Sequence, residues 1–338
     1  MSYLLVFLLS TTLVYWYSHI AIRIGLLDQP NHRTSHEHAT PRGGGIVFVF
    51  LWLLALVALY VKYHFDTSLF LGLLLPTLLV ASVSFLDDYF DLKRRYRIMA
   101  HLLTAIIALY FTGDVDLHLG SFHITSSWLL LVGYALYIIW SINLYNFMDG
   151  LDGQAGFQSF YIFLVSGLLL IWQGEGLFAD LNLLLAFSVL GFLVWNWPKA
   201  KVFMGDVGST SLGLLVAITS IRYQQKISFL VYLILYMPFL FDSTVTLLRR
   251  MFAGEPWYEA HNRHAFQRLF QSGWSHQKVL FGLIFIDAIS LLIVVGTLYY
   301  PDYMYSLFLL DVAIISYFYY AIECINPMQN QVDMVKAV

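Results

Sequence analysis

The chain has 338 residues, of which 59% are hydrophobic and 12% are charged. Soluble globular domains carry about 25% charged residues, so this composition excludes an ordinary soluble domain and predicts a membrane protein. The net charge of −3 gives no reason to expect a nucleic-acid partner, and the single cysteine, Cys324, excludes an internal disulfide and a multi-cysteine metal site.

Helices that span a bilayer need about 20 mostly apolar residues, and eleven segments are candidates. The fourth and the eighth are short, so ten is the alternative count. The candidates are 3–22, 44–63, 68–86, 98–112, 128–145, 155–172, 178–196, 209–222, 227–248, 279–299 and 304–322. No linker or internal repeat divides the chain. We therefore predict an all-α, polytopic membrane bundle of 10 or 11 transmembrane helices, formed by residues 1–338 as one domain.

The loops between these helices alternate between two sides of the membrane, and positive charge is divided unequally between the sides. Fifteen of the 18 Lys and Arg residues lie on the side that receives the loop after the first helix. Since cytoplasmic loops of membrane proteins are enriched in Lys and Arg, this side is expected to face the cytoplasm.

Every polar cluster dense enough to suggest chemistry lies on this same side. The clusters are HRTSHEHATPRGGG (32–45), DDYFDLKRRYR (87–97), NFMDGLDG (146–153), NWPKAKVFMGDVGS (196–209) and EPWYEAHNRHAFQRL (255–269). Loops on the other side are short. A single site in a cytoplasmic cleft, assembled from several loops, explains this distribution better than chance does.

The first two clusters combine basic, glycine and acidic residues. Thr40 and Arg42 precede three glycines, a pattern typical of a phosphate-approaching loop and also of a closely packed helix start. Asp87, Asp88 and Asp91 would share one helix face if the preceding helix continues. Adjacent carboxylates repel unless a cation or proton relieves them. The alternative for the acids is a helix end at the membrane interface. For the basic residues that follow, a lipid-headgroup anchor is favoured over a substrate clamp.

The third cluster alternates aspartates with glycines. Asp149 and Asp152 lie next to Gly150 and Gly153, which allow a tight backbone and the close approach of a ligand. A glycine turn with capping aspartates gives the same pattern, so the cluster alone leaves both interpretations open.

In the fourth cluster, Asp206 lies between Gly205 and Gly208, before a helix predicted to open at Ser209. Glycines next to a helix N-terminus favour phosphate binding. One carboxylate beside them can hold Mg²⁺, which takes one or two carboxylates plus substrate phosphates. Phe203 offers an aromatic face to a base. The alternatives are a plain helix cap for Asp206 and simple packing for Phe203.

The fifth cluster contains His261, Arg263 and His264. If this segment is helical, the two imidazoles lie on one face. No cysteine or third close histidine completes a zinc site, so phosphate contact is favoured over zinc binding. Interfacial solvation is the alternative.

On these motifs the sequence resembles the polyprenyl-phosphate N-acetylhexosamine-1-phosphate transferase superfamily, of the glycosyltransferase family 4 type. DDYFD matches its DDxxD, NFMDGLDG its N-x-x-DG-x-DG, and NWPKAKVFMGDVGS its N-x-P-A-x-x-FMGD-x-GS. The resemblance covers residues 23–280 and implies a bundle of ten or eleven helices with a cytoplasmic cleft, in the bacterial inner membrane. It also implies transfer of a sugar 1-phosphate from a UDP-sugar to undecaprenyl phosphate, with release of UMP.

The resemblance further implies roles for individual residues. Asp206, helped by Asn146, would hold Mg²⁺, with Mn²⁺ as the alternative. Phe203 would stack on uracil, and Asp87 or Asp88 would position or deprotonate the lipid phosphate. The other substrate-binding candidates are Thr40, Arg42, Asp149, Gly150, Leu151, Asp152, Asn196, His261 and Arg263.

Two departures concern the sugar. The phospho-muramoyl-pentapeptide translocase of the family has three consecutive histidines where this chain reads HNRHAFQ, which leaves His264 as the catalytic candidate. Its lysine before the Thr-Pro pair is missing, and His36 or His38 stands nearby. Both departures argue against a muramoyl-pentapeptide substrate. HNRHAFQ is more similar to the O-antigen-initiating branch, which implies an N-acetylhexosamine or a 6-deoxy N-acetylhexosamine as the sugar.

The rival class is a multi-span transporter, which would place ionisable groups near the bilayer midplane. Only Asp242, Asp287, Asp311 and His101 are candidates for such groups. Asp242 lies about 10 Å from the cytoplasmic end of its predicted helix, so it would join the site instead. The expected partners are a UDP-sugar, undecaprenyl phosphate and membrane lipid. The oligomeric state, including a homodimer, is left open.

Overall fold

The computed structural model describes residues 3–29, 39–90, 92–113, 116–125, 127–256 and 261–328. Asp91, His36 and His38 lie outside these ranges. The helices are α1 (Tyr3–Ile24), α2 (Gly45–Tyr63), α3 (Thr67–Phe90), α4 (Arg94–Thr112), α5 (Trp128–Met148), α6 (Gln154–Trp172), α7 (Gly176–Asn196), α8 (Gly205–Arg222), α9 (Phe229–Phe252), α10 (Ala265–Gln271), α11 (His276–Tyr299) and α12 (Met304–Ile325). Two antiparallel strand pairs join them, β1 (Leu27–Asp28) with β2 (Thr40–Pro41) and β3 (Leu117–Leu119) with β4 (Phe122–Ile124).

Each of the eleven predicted segments corresponds to one long helix. Within the described ranges, nine helices are long and apolar enough to cross a membrane, and α4 and α8 are the two long helices outside this set. These two are nevertheless linked near both of their ends by long side chains. Arg97 near the start of α4 reaches Asp206 at the start of α8, and Arg222 at the end of α8 donates to the Phe111 carbonyl near the end of α4. The prediction of an all-α polytopic bundle is confirmed.

Helix α8 begins four residues before its predicted start. Asp206 therefore lies in the first turn of the helix, and the prediction that it lies in a loop before Ser209 is wrong. The predicted segment began only after Asp206, because hydropathy places charged residues outside an apolar helix. The backbone hydrogen bonds of α8 nevertheless include Asp206. Helix α3 likewise continues through Asp87 and Asp88 and ends at Phe90, so the predicted face that they would share with Asp91 lies outside the described residues.

Helix α8 occupies the centre of the bundle. Every residue from Val207 to Ile221 is buried, and the helix contacts α2, α3 and α5. Small residues permit this packing, because a Cβ on Gly45 would lie only 2.4 Å from the Cα of Gly208. The central position of α8 sets the place of Asp206 relative to its neighbours.

At one end of the bundle, α3, α5 and α7 finish where α4, α6 and α8 begin. The loops between these helices are tied to one another, since the Gly153 amide donates to Asn196 and the Ala200 amide donates to Asp152. The β3–β4 hairpin lies at the other end, where the Tyr305 hydroxyl donates to the Leu119 carbonyl. The described polar residues of the five sequence clusters are thereby gathered at one end.

Candidate active site

A polar cavity of about 270 Å³ lies at this end of the bundle. Nine of the sequence candidates line it, namely Arg42, Asp88, Asp149, Gly150, Leu151, Asp152, Asn196, Phe203 and Asp206. Asp28, Met204, Gly205 and Gln267 complete the lining. Each of the five polar clusters contributes at least one of these residues, so the clusters meet in one place, as their common side predicts.

Six candidates do not line the cavity. Thr40 is buried on β2, and the Asn146 amide on α5 donates to the Ser209 hydroxyl. Asp87 lies outside the cavity lining and forms an ion pair with Arg97. The other three, described below, precede α10 and are His261, Arg263 and His264. Direct contact of these six with a substrate stays a prediction.

Three cavity carboxylates lie in surroundings that favour a positive partner. Asp88 is buried, and its Oδ2 makes no hydrogen bond to any described residue. Its Oδ1 lies 3.7 Å from Nη2 of Arg42. Burial, together with the negative charges of Asp206, Asp88 and Asp152, raises the pKa of Asp149 to about 8. Without a cation, a proton on Asp149 relieves the repulsion between these carboxylates. A cation in the cavity would relieve the same repulsion.

Arg97 is a site residue that the sequence analysis missed. Its Nη1 lies 3.0 Å from Oδ2 of Asp87, and its Nη2 lies 3.3 Å from Oδ2 of Asp206. The guanidinium thus joins two of the acidic motifs, although its basic run was interpreted as a headgroup anchor. No motif signals this role, because Arg97 directly precedes the predicted segment 98–112, where a headgroup anchor is also expected.

Asn196 and Asp152 connect the loop after α5 to the loop after α7. The Asn196 Oδ1 accepts from the Gly153 amide at 3.0 Å, and its Nδ2 donates to the Val202 carbonyl at 2.9 Å. The Asp152 Oδ2 accepts from the Ala200 amide at 3.0 Å and lies 3.0 Å from Nδ1 of His276. These two side chains therefore hold together the part of the cavity wall that contains Gly150, Leu151 and Phe203.

Gly205 permits the closest approach within the site. Its φ of +74° is a conformation that residues with a Cβ rarely adopt. A Cβ at this position would lie 2.7 Å from the Cα of Gly43 and 3.0 Å from Oδ2 of Asp88. The glycine is needed for the start of α8 to pack against the Arg42 loop and the end of α3.

Residues 261–264, directly before α10, are not helical, so the condition under which His261 and His264 would share a helix face is not met. Their rings nevertheless lie 4.8 Å apart. Burial, reinforced by the nearby His264, Arg250 and Arg263, lowers the pKa of His261 to about 3. His261 is thus neutral near pH 7 and would meet a phosphate as a hydrogen-bonding group, not as a cation.

Arg263 and Gln267 differ in where their side chains are directed. Arg263 forms an ion pair with Glu255, which also pairs with Arg250 at 3.1 Å. Gln267, in contrast, lines the polar cavity, and its Oε1 accepts a hydrogen bond from the His264 amide at 3.1 Å. The sequence analysis missed Gln267 because a lone glutamine after an apolar pair carries no motif signal.

The donor set fits a divalent cation that is shared with a substrate. The described ranges contain no group of three or more His, Cys, Asp or Glu side chains arranged to hold a metal. Mg²⁺ does not require such a cage, since it binds through one or two carboxylates plus substrate phosphates and water. Asp206 and Asp88 carry carboxylate oxygens of the kind that Mg²⁺ prefers, and Oδ2 of Asp88 is a buried acceptor without a hydrogen bond to a described residue.

Comparison with known proteins gives the family. The model of glycosyl transferase family 4 matches residues 70–224. An undecaprenyl-phosphate alpha-N-acetylglucosaminyl 1-phosphate transferase of Thermotoga maritima is 30% identical, over 74% of this chain and 76% of the relative. A probable undecaprenyl-phosphate N-acetylglucosaminyl 1-phosphate transferase of Bacillus subtilis is 29% identical, over 86% and 82%.

A third relative extends the match over almost the whole chain. The undecaprenyl-phosphate alpha-N-acetylglucosaminyl 1-phosphate transferase of Salmonella typhimurium is 28% identical, over 98% of this chain and 92% of the relative. The alignments thus include all five clusters that form the cavity. With its motifs brought to one site in an all-α bundle, the chain belongs to glycosyl transferase family 4, within the polyprenyl-phosphate hexosamine-1-phosphate transferase superfamily.

Proposed function

We propose that this protein transfers an N-acetylhexosamine 1-phosphate from a UDP-sugar to undecaprenyl phosphate and releases UMP. The observation that carries the proposal is the meeting of Asp88, Asp149 and Asp206 with Phe203 in one polar cavity at the end of the membrane helices. Such a cavity can receive a water-soluble diphosphate while the acceptor phosphate reaches it from the bilayer.

The donor would lie along the wall formed by the loops after α5 and α7. Phe203 would stack on the uracil ring, with Gly150, Leu151 and Asp152 around the base. Stacking of a base on an aromatic side chain contributes about 1–3 kcal/mol. The hydrogen bonds of Asn196 to both loops support this wall, so Asn196 would act mainly by holding the pocket in shape.

The diphosphate would lie over the carboxylates. Asp206 and Asp88 are the residues that would hold Mg²⁺ or Mn²⁺. Asn146, one helical turn before Asp149, would assist them. A bound divalent ion supplies neutralisation of the phosphoryl charge. Arg42 and Arg97 would add positive charge from the protein, and their guanidinium groups suit phosphate oxygens.

The reaction would be a direct displacement. An oxygen of undecaprenyl phosphate attacks the β-phosphorus of the UDP-sugar, and the bond from that phosphorus to the oxygen shared with the α-phosphate breaks. UMP leaves with the bonding electron pair, and the sugar phosphate remains on the lipid as a diphosphate. Asp87 and Asp88 would orient the acceptor, and His264 is the candidate for a supporting acid–base role.

The sugar is proposed to be N-acetylglucosamine or a related N-acetylhexosamine, because the relatives carry that sugar in their names. The 6-deoxy N-acetylhexosamines remain within the same proposal. The product would start a cell-surface glycan such as O-antigen.

The site is proposed to face the cytoplasm of a bacterial inner membrane, since the excess of Lys and Arg lies at its end of the bundle. Cys324, the sole cysteine, tests this orientation because it is exposed near the end of α12, beside Glu323, which pairs with Arg249. A membrane-impermeant maleimide should label Cys324 only after permeabilisation of the inner membrane. Labelling of intact spheroplasts would contradict the orientation.

The activity is tested with purified protein, undecaprenyl phosphate and Mg²⁺, incubated with UDP-N-acetylglucosamine, UDP-N-acetylgalactosamine or UDP-glucose. UMP release and a butanol-extractable sugar lipid are expected with at least one N-acetylated donor and only when the acceptor is present. No UMP from any donor, or UMP without acceptor, would contradict the proposal.

A further inference from the structure

Asp242 is a buried acid on α9 that none of the assigned roles uses. Both of its carboxylate oxygens accept from the Ala265 amide at 2.9 Å, and Oδ1 also accepts from the Thr246 hydroxyl at 3.0 Å. The same Oδ1 lies 3.5 Å from Nδ1 of His264, which makes no hydrogen bond to a described residue. One carboxylate thus contacts the last residue before α10 and the first residue within it.

Helix α10 cannot hold itself in place. It has seven residues, and isolated helices of fewer than about 12 residues are marginal in water. Its first amide groups need partners outside the helix. Asp242 supplies such a partner from a membrane-spanning helix, so the start of α10 is fixed relative to the bundle.

What α10 presents to the cavity is Gln267. Its Oε1 accepts from the His264 amide, which links the cavity wall to the residue that Asp242 contacts. The Phe266 ring packs against Gly150, where a Cβ would approach it to 2.9 Å. A rotation of α10 would therefore move Gln267 and Phe266 relative to the predicted donor wall, and His264 with them.

The surroundings of Asp242 make its carboxylate contacts strong. It also borders an apolar cavity of about 250 Å³ between α9, α10, α11 and α12, where its neighbours include Phe239, Leu269 and Ile315. Hydrogen bonds to a carboxylate are stronger in such a low-dielectric environment, and a lost acceptor leaves buried donors unsatisfied. Asp242 is therefore placed to orient α10 and not to touch the polar cavity itself.

We propose that Asp242 is a positioning residue, which holds the start of α10 so that Gln267 and His264 are set for the reaction. The inference rests on the proposed function for its kinetic consequence. Its structural part, the ordering of α10 by Asp242, is independent of any activity.

The test compares Asp242→Asn with Asp287→Asn. Asp287 is a matched control because it is equally buried on a spanning helix, accepts from Gln158, and lines neither cavity. Asp242→Asn keeps the side-chain shape and loses one acceptor oxygen. It should lower kcat by about 10- to 100-fold, the scale of a 1 Å misplacement, with little change in KM for the UDP-sugar. Asp287→Asn should leave kcat within about twofold.

Hydrogen exchange supplies the readout that a general loss of structure would not reproduce. Asp242→Asn should increase amide exchange over residues 261–271 while α3, α5 and α8 stay protected, and Asp287→Asn should not. Thr246→Val, which removes one donor to Asp242 and keeps the side-chain shape, should lower kcat in the same direction by a smaller factor.

Unchanged kcat or unchanged exchange at 261–271 in Asp242→Asn would overturn the proposal. Faster exchange throughout the bundle would also overturn it, since the role would then be general stability. A wild-type protein that releases no UMP would count against the proposed function alone, because the exchange measurement still decides whether Asp242 orders α10.

Discussion

Two sets of aspartates differ in what surrounds them. Asp88, Asp149 and Asp206 line an open polar cavity, with Arg42 and Arg97 in contact with two of them. Asp287 and Asp311 lie within the spanning helices α11 and α12, away from this cavity. They accept hydrogen bonds from uncharged groups, the Gln158 amide at 3.3 Å and the Ser290 hydroxyl at 2.7 Å, respectively.

The difference separates acids that receive a ligand from acids that join helices. In the cavity, neighbouring carboxylates repel one another, so a cation or a phosphate-bound metal would lower the free energy. In the spanning helices, each carboxyl meets a neutral donor and borders neither large cavity. An ion pathway of the kind a transporter needs would line an open route with such acids, which these two do not do.

The largest difference in UMP release is expected between the variants Asp206→Asn and Asp311→Asn. Loss of the carboxylate at the start of α8 should lower UMP release by roughly 1,000-fold or more, because the proposed metal would lose its main ligand. Asp311→Asn should keep activity within about threefold. The check is UMP release at saturating substrates, with thermal unfolding to show that both variants fold. Full activity in Asp206→Asn would end the metal assignment.

Phe203→Ala tests the base-binding wall of the cavity. Its KM for the UDP-sugar should rise by about 10- to 100-fold, as expected from the loss of one stacking contact, while KM for undecaprenyl phosphate changes little. Phe285→Ala, on an exposed part of α11, is the matched control and should alter neither constant. Equal increases in both KM values would remove the stacking role.

Arg97→Gln tests the positive partner that the cavity acids have and the spanning acids lack. Removal of the bridge between Asp87 and Asp206 should lower kcat/KM by roughly tenfold, because hydrogen bonds to charged groups contribute about 1.5–3 kcal/mol and this side chain is partly exposed. Arg95→Gln, two residues away and exposed, should have little effect. If the two variants behave alike, Arg97 acts only at the membrane interface.

The raised pKa of Asp149 predicts a smaller, pH-dependent effect on stability. Between its ordinary value of 3.8 and the folded value of about 8, the folded protein holds a proton that the unfolded chain has lost. Stability without divalent ions should therefore fall as pH rises through this window. Thermal unfolding in EDTA at pH 6.0 and 8.5 measures the fall.

Added Mg²⁺ should restore stability more at pH 8.5 than at pH 6.0, since protons compete with the ion at the lower pH. Asp149→Asn should flatten the pH dependence in EDTA, and Asp287→Asn should not. A wild-type protein whose unfolding temperature rises from pH 6.0 to 8.5 in EDTA would contradict the assigned environment of Asp149.

Much of the fold could be predicted from the sequence because membrane insertion is a local requirement. Each spanning segment must be apolar over about 20 residues, whatever it packs against, so hydropathy located all eleven long helices. Helix boundaries were less well predicted, as α8 and Asp206 show. A charged residue ends an apolar window, but it does not end a hydrogen-bonded helix.

The site was predictable where its motifs are contiguous. Asp149, Asp152, Phe203 and Asp206 stand in motifs that could be read from the chain, and all four line the cavity. Arg97 could not be found in this way, because its significance comes from partners 10 and 109 positions away in the sequence.

The sequence by itself determined that this protein lies in a membrane, belongs to a transferase family and carries its polar motifs on one side, because composition, periodicity and motif spacing are properties of the chain. Only the tertiary structure decided that Arg97 bridges two acids, that Asn196 holds two loops together and that Asp242 meets the start of α10. Those contacts join distant residues, and their distances depend on how the helices pack.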